Sequence, residues 1–211
     1  MILSKQLEKL DLKIPLEAFV SLERLADELL RWNRIRNLTA ITDRDEVLEK
    51  HLVDSLTLLP FVHKATRLLD IGSGAGFPAL PLKIACPELA VVSVDAVGKK
   101  IDFQRHIVRQ LGLKGFTPLH GRVEVLTEEQ KYRAGFDLVT ARALCSLDEL
   151  IGLAEPFLAP GGRLVAMKGP DGQHEFSEQH DLLEKNGWSV VLHQLELPVS
   201  SAGRCLIELT R

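Results

Sequence analysis

Between Leu69 and Leu82 the chain reads LDIGSGAGFPALPL, an acid and three spaced glycines set between an apolar run and a helical one. A dinucleotide fingerprint, G-x-G-x-x-G, needs a third glycine so that helix and strand can pack closely. Here Phe77 stands in that place, after Gly72, Gly74 and Gly76. Asp70 precedes the glycines at the end of the apolar run, where a carboxylate would repel a pyrophosphate. A nucleoside that carries positive charge suits this pattern better. S-adenosyl-L-methionine has an ammonium and a sulfonium, and the open backbone of Gly72, Ser73, Gly74 and Gly76 lets its amino-acid portion come close. Asp95 ends the next strand-like run, the place from which an acid accepts hydrogen bonds from both ribose hydroxyls.

The elements that must position these residues follow from periodicity. RLLDI, AVVSV, GFTPLH, FDLVTA, GRLVAMK, WSVVLHQLEL and RCLIEL read as strands, with helical segments between most of them. Such alternation predicts an α/β fold built on a doubly wound, mostly parallel seven-stranded sheet. The last two runs, joined by PVSSAG, predict an antiparallel hairpin at the sheet edge. Ligands in such sheets bind at the carboxyl ends of the strands, here marked by Asp70, Asp95, His120, Ala141 and Lys168. Pro78 is placed near the start of the next helix, where its missing N–H would have had no helical partner.

Upstream, the apolar spacing is helical. Phe19, Leu22, Leu25, Ala26, Leu29 and Leu30 form one stripe, and Val47, Leu48, Leu52, Ser55, Leu56 and Leu59 another. Thr42 and Asp45 resemble a capping box that opens the second helix after the loop WNRIRNLTAIT. Two domains are expected, a helical cap over residues 1–62 and a cofactor-binding domain over 63–211.

A chain of 211 residues, 45% hydrophobic, can bury one sizeable core. Its net charge of −3 supplies no global attraction to nucleic acid or membrane, so such contacts must come from local clusters of cations. Three cysteines without C-x-x-C spacing fit reduced thiols rather than a disulfide framework or a zinc site, and no metal is expected. With neither a signal peptide nor a membrane-length apolar run, the protein is expected in the cytoplasm, as a monomer.

RNLTAI, HLVDSL, LDIGSGAGFP with LPL, VD followed by GKK, GRVE, ARAL and MKG occur in this order and spacing. Together they resemble the bacterial small-subunit (16S) ribosomal RNA guanine-N7 methyltransferase family, also called glucose-inhibited division protein B. The resemblance runs from about Leu30 to the C-terminus, and RNLTAI and HLVDS lie outside anything a generic methyltransferase fold requires. Ala79 and Ala96 depart from the family's usual Gly and Ser. The resemblance implies a Rossmann-like class I methyltransferase with an N-terminal helical cap. It also implies S-adenosyl-L-methionine as cofactor and 16S ribosomal RNA or the small subunit as partner, with guanine 527 of the 530 loop as target. Gly72, Phe77, Val123, Glu124 and Arg142 match positions that the family uses around the cofactor, Glu124 beside the adenine.

Guanine N7 presents an in-plane lone pair on the major-groove edge, so it can attack a sulfonium methyl without first losing a proton. No general base is expected, and alignment in a dry pocket is the catalytic task. Cations are then assigned mainly to RNA phosphates and to holding the loop. They are Arg122, Arg142, Lys168 and Arg204, with Arg34, Arg36, Lys99 and Lys100 as a second tier. Asn37, His51 and Ser55 are placed on the RNA side of the cleft. Three alternatives stay open: a 5-methylcytosine enzyme using Cys145, an amino-group methyltransferase, for which ARAL lacks the Asp/Asn-Pro-Pro-aromatic motif, and a non-catalytic nucleoside-binding module in ribosome assembly or cell division.

Overall fold

A computed structural model describes residues 2–63 and 65–211. Its centre is a seven-stranded sheet in the order β3-β2-β1-β4-β5-β7-β6. The strands are β1 (Arg67–Ile71), β2 (Ala90–Asp95), β3 (Phe116–His120), β4 (Phe136–Arg142), β5 (Leu158–Lys168), β6 (Ser189–Glu196) and β7 (Gly203–Thr210). The first five pair in parallel, whereas β7 runs antiparallel to both β5 and β6. The edge hairpin is therefore present, with its second strand inserted next to β5. All seven sequence-read strands are found, and the strand order reverses beside β1, between β1 and β4, where open α/β sheets leave a crevice.

Alternation along each strand separates two apolar layers, since neighbouring side chains point to opposite faces. Leu68, Val91, Leu138, Val165 and Leu206 face one layer; Leu69, Val92, Val139, Leu164 and Ile207 face the other. The first layer is covered by α1 (Ile2–Lys9), α2 (Leu16–Arg36), α3 (Arg44–Val47), α4 (Asp54–Leu56), α5 (Leu59–Val62), α6 (Ala79–Ala85) and α7 (Gly98–Leu111). The second is covered by α8 (Val123–Leu126), α9 (Leu147–Ala154) and α10 (Gly172–Lys185). The N-terminal helices thus share one continuous core with α6, α7 and the sheet. Glu49 adds a polar tie, its Oε1 accepting the Val199 and Ser200 N–H groups of the β6–β7 turn.

One helix start differs from the sequence reading. The side chain that caps α3 belongs to Asp43, not Thr42: its Oδ1 accepts the Glu46 N–H at 3.0 Å. Asp at N-cap with Glu three residues on is the stronger version of the same signal, shifted by one residue. Pro78 lies near the start of its helix as expected, at the N-cap of α6, with Ala79 the first helical residue.

Between α3 and α4 the helix widens into a π-helical turn, Leu48–Val53. Backbone angles stay helical on both sides, so 44–56 runs as one rod. Every residue of the second apolar stripe read from the sequence is buried along it or just beyond. At the other end of the cap, buried Asn33 folds the loop after α2: its Oδ1 accepts N–H groups from Leu38 at 2.7 Å and Thr39 at 2.9 Å.

Candidate active site

The carboxyl ends of β1, β2 and β4 open onto two adjoining cavities. The first, about 230 Å³, is lined by Ile71, Val94, Ala96, Gly121, Arg122, Val123, Glu124, Cys145, Glu149 and Leu153. The second, about 370 Å³, lies toward the N-terminal helices and is lined by Leu38, Thr39, His51, Ser73, Gly74, Ala75, Phe77, Lys100, Arg142 and Ala143. Gly72, Asp95 and Leu144 belong to both, so the two halves form one cleft with these residues at the waist. Gly72 has φ +66°, and a Cβ there would meet Leu144 Cδ1 at 2.6 Å, which reserves the position for glycine.

Asp95 fixes the waist. Its Oδ2 accepts the Gly74 N–H and its Oδ1 accepts the Val97 N–H, each at 2.8 Å. A carboxylate oxygen has two acceptor sites, so each keeps one for a ligand hydroxyl.

Asp70 sits elsewhere than the sequence reading placed it. It is fully buried and lines neither cavity; its Oδ2 accepts the Ala79 N–H at 3.2 Å behind the glycine loop. Burial pushes its carboxyl up to about 8, against opposing pulls from the Ala79 hydrogen bond and Arg142. It is therefore mostly neutral at pH 7 and supports the loop instead of facing a ligand charge. Gly76 also lies outside both cavities; a Cβ there would strike Leu80 Cδ1 at 2.5 Å, so it serves packing between loop and α6.

In the second cavity the polar groups are tied to one another. Arg142, at the end of β4, donates from Nη1 to Lys50 O and Asp54 Oδ2, and from Nη2 to His51 Nδ1, each at 3.2 Å. Arg204 donates from Nε to the other oxygen of Asp54 at 2.7 Å. Buried Asp54 thus joins two arginines from β4 and β7 to the cap. His51 stacks on Phe77 with centroids 4.8 Å apart, and the Arg142 guanidinium lies 5.8 Å from the Phe77 centroid. Burial, reinforced by Arg142, lowers the His51 imidazole to about 3, so it is neutral at physiological pH. Both its nitrogens are engaged, Nε2 with Thr39 Oγ1 at 2.9 Å.

The remaining residues divide. Lys168 is held by Cys145 O at 2.6 Å and Glu175 Oε2 at 2.8 Å, and so braces the loop after β4. Arg122 is exposed at the mouth of the first cavity, beside Val123 and Glu124. Asn37 caps α2 in the left-handed region (φ 48°), borders a broader groove with Arg34 and Arg44, and accepts Lys99 Nζ at its carbonyl. Ser55 departs from its expected place on the RNA side: it is wholly buried and gives its hydroxyl proton to His51 O. Cys145 borders the first cavity, but burial raises its thiol above the ordinary range, opposite to what a nucleophile needs. Asp54 and Thr39 are not singled out by the sequence, whereas Lys100, a second-tier cation there, lines the second cavity. The first two stand inside HLVDSL and RNLTAI, and an acid on an apolar helical stripe is the signal that marks Asp54.

Among the described residues no helix is long and apolar enough to cross a membrane. Among solved structures, a methyltransferase from Geobacter sulfurreducens aligns with a TM-score of 0.62 at 13% identity, covering 89% of this chain and 90% of that one. A SAM dependent methyltransferase from Aquifex aeolicus aligns at 0.57 and 19% identity, covering 79% and 93%. These likenesses establish the fold. Sequence relatives are nearer. A "Ribosomal RNA small subunit methyltransferase G" from Syntrophotalea carbinolica is 50% identical over 186 residues, 88% of this chain and 85% of that protein. One of the same name from Geobacter sp. strain M21 is 46% identical over 211 residues, 100% and 96% of the two chains. The family model described as rRNA small subunit methyltransferase G matches residues 19–197, from α2 to the end of β6, a span that takes in the whole glycine loop and both cavities. The chain belongs to the rRNA small subunit methyltransferase G family.

Proposed function

We propose that this protein transfers a methyl group from S-adenosyl-L-methionine to N7 of a guanine in 16S ribosomal RNA, guanine 527 of the 530 loop by resemblance. The observation that carries the reading is the cleft divided at Gly72 and Asp95, with a nucleoside-sized half on the sheet and a half closed by His51, Phe77 and Arg142. The residues fit the cofactor. Ile71, Val94, Val123 and Leu153 offer apolar walls to an adenine, Glu124 an edge partner, Asp95 free acceptor sites to ribose hydroxyls, and Gly72 to Gly74 an open backbone to the amino-acid portion.

When bound, S-adenosyl-L-methionine supplies a methyl group activated by the sulfonium. The chain supplies position and dryness. Phe77 and His51 form a flat wall, and Arg142 is clamped by Lys50 O, Asp54 and His51. His51, neutral and with both nitrogens engaged, is not poised as a base, and N7 needs none. The partner is 16S ribosomal RNA or the small subunit in the cytoplasm. The protein acts as a monomer, with cap residues 1–62 and domain residues 63–211 forming the two sides of the RNA cleft. Exposed Arg122, with Arg34 and Arg36 of the cap and Lys99 and Lys100 at the start of α7, serves phosphates. Arg142, Arg204 and Lys168 position the protein's own loops.

The test incubates the protein with methyl-labelled S-adenosyl-L-methionine and unmodified 16S RNA or small subunits. Label in N7-methylguanine at guanine 527 is the expected result. Label on cytosine, or on protein only, overturns the reading.

A further inference from the structure

Hydrogen-bond polarity along Arg142, His51 and Thr39 is set by its first member. A guanidinium only donates, so His51 Nδ1, 3.2 Å from Arg142 Nη2, is the accepting nitrogen. The ring proton then lies on Nε2 and is donated to Thr39 Oγ1 at 2.9 Å. The same oxygen accepts the Ile41 N–H at 3.2 Å. A hydroxyl has two lone pairs and one proton. Both lone pairs of Thr39 are taken, and the hydroxyl proton is left to point away from His51 and Ile41. Thr39 is half-buried, lines the cavity of Phe77 and Arg142, and borders the groove that runs to Asn37 and Arg34.

We infer that Thr39 is a specificity-determining residue whose hydroxyl donates to O6 of the substrate guanine, a role resting on the proposed guanine-N7 reaction. On the purine edge that carries N7, guanine presents the acceptor O6 where adenine presents the donor N6–H₂. A donor locked by polarity accepts guanine there and leaves adenine facing a like group. A neutral hydroxyl also suits the reaction, because the purine gains positive charge as N7 is methylated and a cation at O6 would oppose it. Arg142, which lines the same cavity, has its donors turned to Lys50, Asp54 and His51 instead.

The test compares single-turnover methylation of ligated 16S RNA carrying guanine, or 2-aminopurine, which lacks O6, at the target position. For the wild type, removing O6 is expected to slow transfer about tenfold, the worth of one hydrogen bond to a buried group. Thr39→Val, which also takes the acceptor away from the His51 Nε2–H and the Ile41 N–H, is expected to slow transfer to guanine about tenfold more than it slows transfer to 2-aminopurine. Thr39→Ser should restore the guanine rate to within about threefold, since it keeps the hydroxyl. Equal slowing of both bases by Thr39→Val, or failure of Thr39→Ser to restore the rate, overturns the inference while the proposed function stands. A wild-type enzyme that puts no methyl on guanine N7 overturns both.

Discussion

The two halves of the cleft are built on different plans. On the sheet side, Asp95, Glu124 and Arg122 line the wall with Asp95 keeping free acceptor sites and Arg122 exposed. On the cap side, Arg142, Asp54, Arg204, His51 and Thr39 consume one another's donors and acceptors across β4, β7 and the helical rod. The sheet side adapts to a ligand by offering unused valences. The cap side recognises by rigidity, leaving few groups pointing outward, each of fixed polarity.

Removing the hub gives the largest effect. Asp54→Ala leaves Arg142 and Arg204 without their shared carboxylate and is expected to cost about 3 kcal/mol of stability, read by urea unfolding. Asp54→Asn, which keeps the acceptor but not the charge, should fall between. Wild-type stability in both variants would break the contrast, making the cap side as loosely built as the sheet side. Next comes Asp95→Ala, which should weaken S-adenosyl-L-methionine binding about tenfold to a hundredfold by calorimetry while RNA affinity changes less than about twofold. An equal loss of RNA affinity would show that the halves do not bind separately.

The smallest effect is a pH dependence. Asp70, raised to about 8, binds more protons folded than unfolded above its ordinary range, so it makes stability fall as pH rises toward 8. His51, lowered to about 3, binds fewer protons folded than unfolded below about 6.5, so it makes stability fall as pH drops through that range. The two oppose below about 6.5, and Asp70 acts alone above it, giving a loss of about 1 to 2 kcal/mol between pH 6.5 and 8. Asp70→Asn should flatten that upper limb in denaturation curves and leave the His51 limb in place. A slope that survives the substitution would remove Asp70 as its source.

What could be read in the sequence is what local pattern dictates. Strand ends, the glycine loop, the edge hairpin and the burial of the 47–59 stripe all follow from periodicity and from glycine at positive φ. Asp70 was misplaced because strand alternation does not say which acid at a strand end faces the cleft; Asp95 lines both cavities, whereas Asp70 lines neither and is fully enclosed. The Asp54 hub was hidden for another reason. Its partners lie 88 and 150 residues away along the chain, and only the β7 insertion beside β5 brings Arg204 to it. Arg142 looked like a site residue from its strand end, and its tie to His51 and Asp54 required the cap to be folded over it.

The π-helical turn at Leu48–Val53 holds His51 and ends just before Asp54. Such a turn amounts to one residue more than a regular helix would use over the same length. Deleting a residue here would restore the commoner geometry, yet each residue of an α-helix advances by about 100°, so His51 or Asp54 would swing off its partners. The length of this rod is thus part of the site's address: chain length itself, to a single residue, carries information as binding as any side chain.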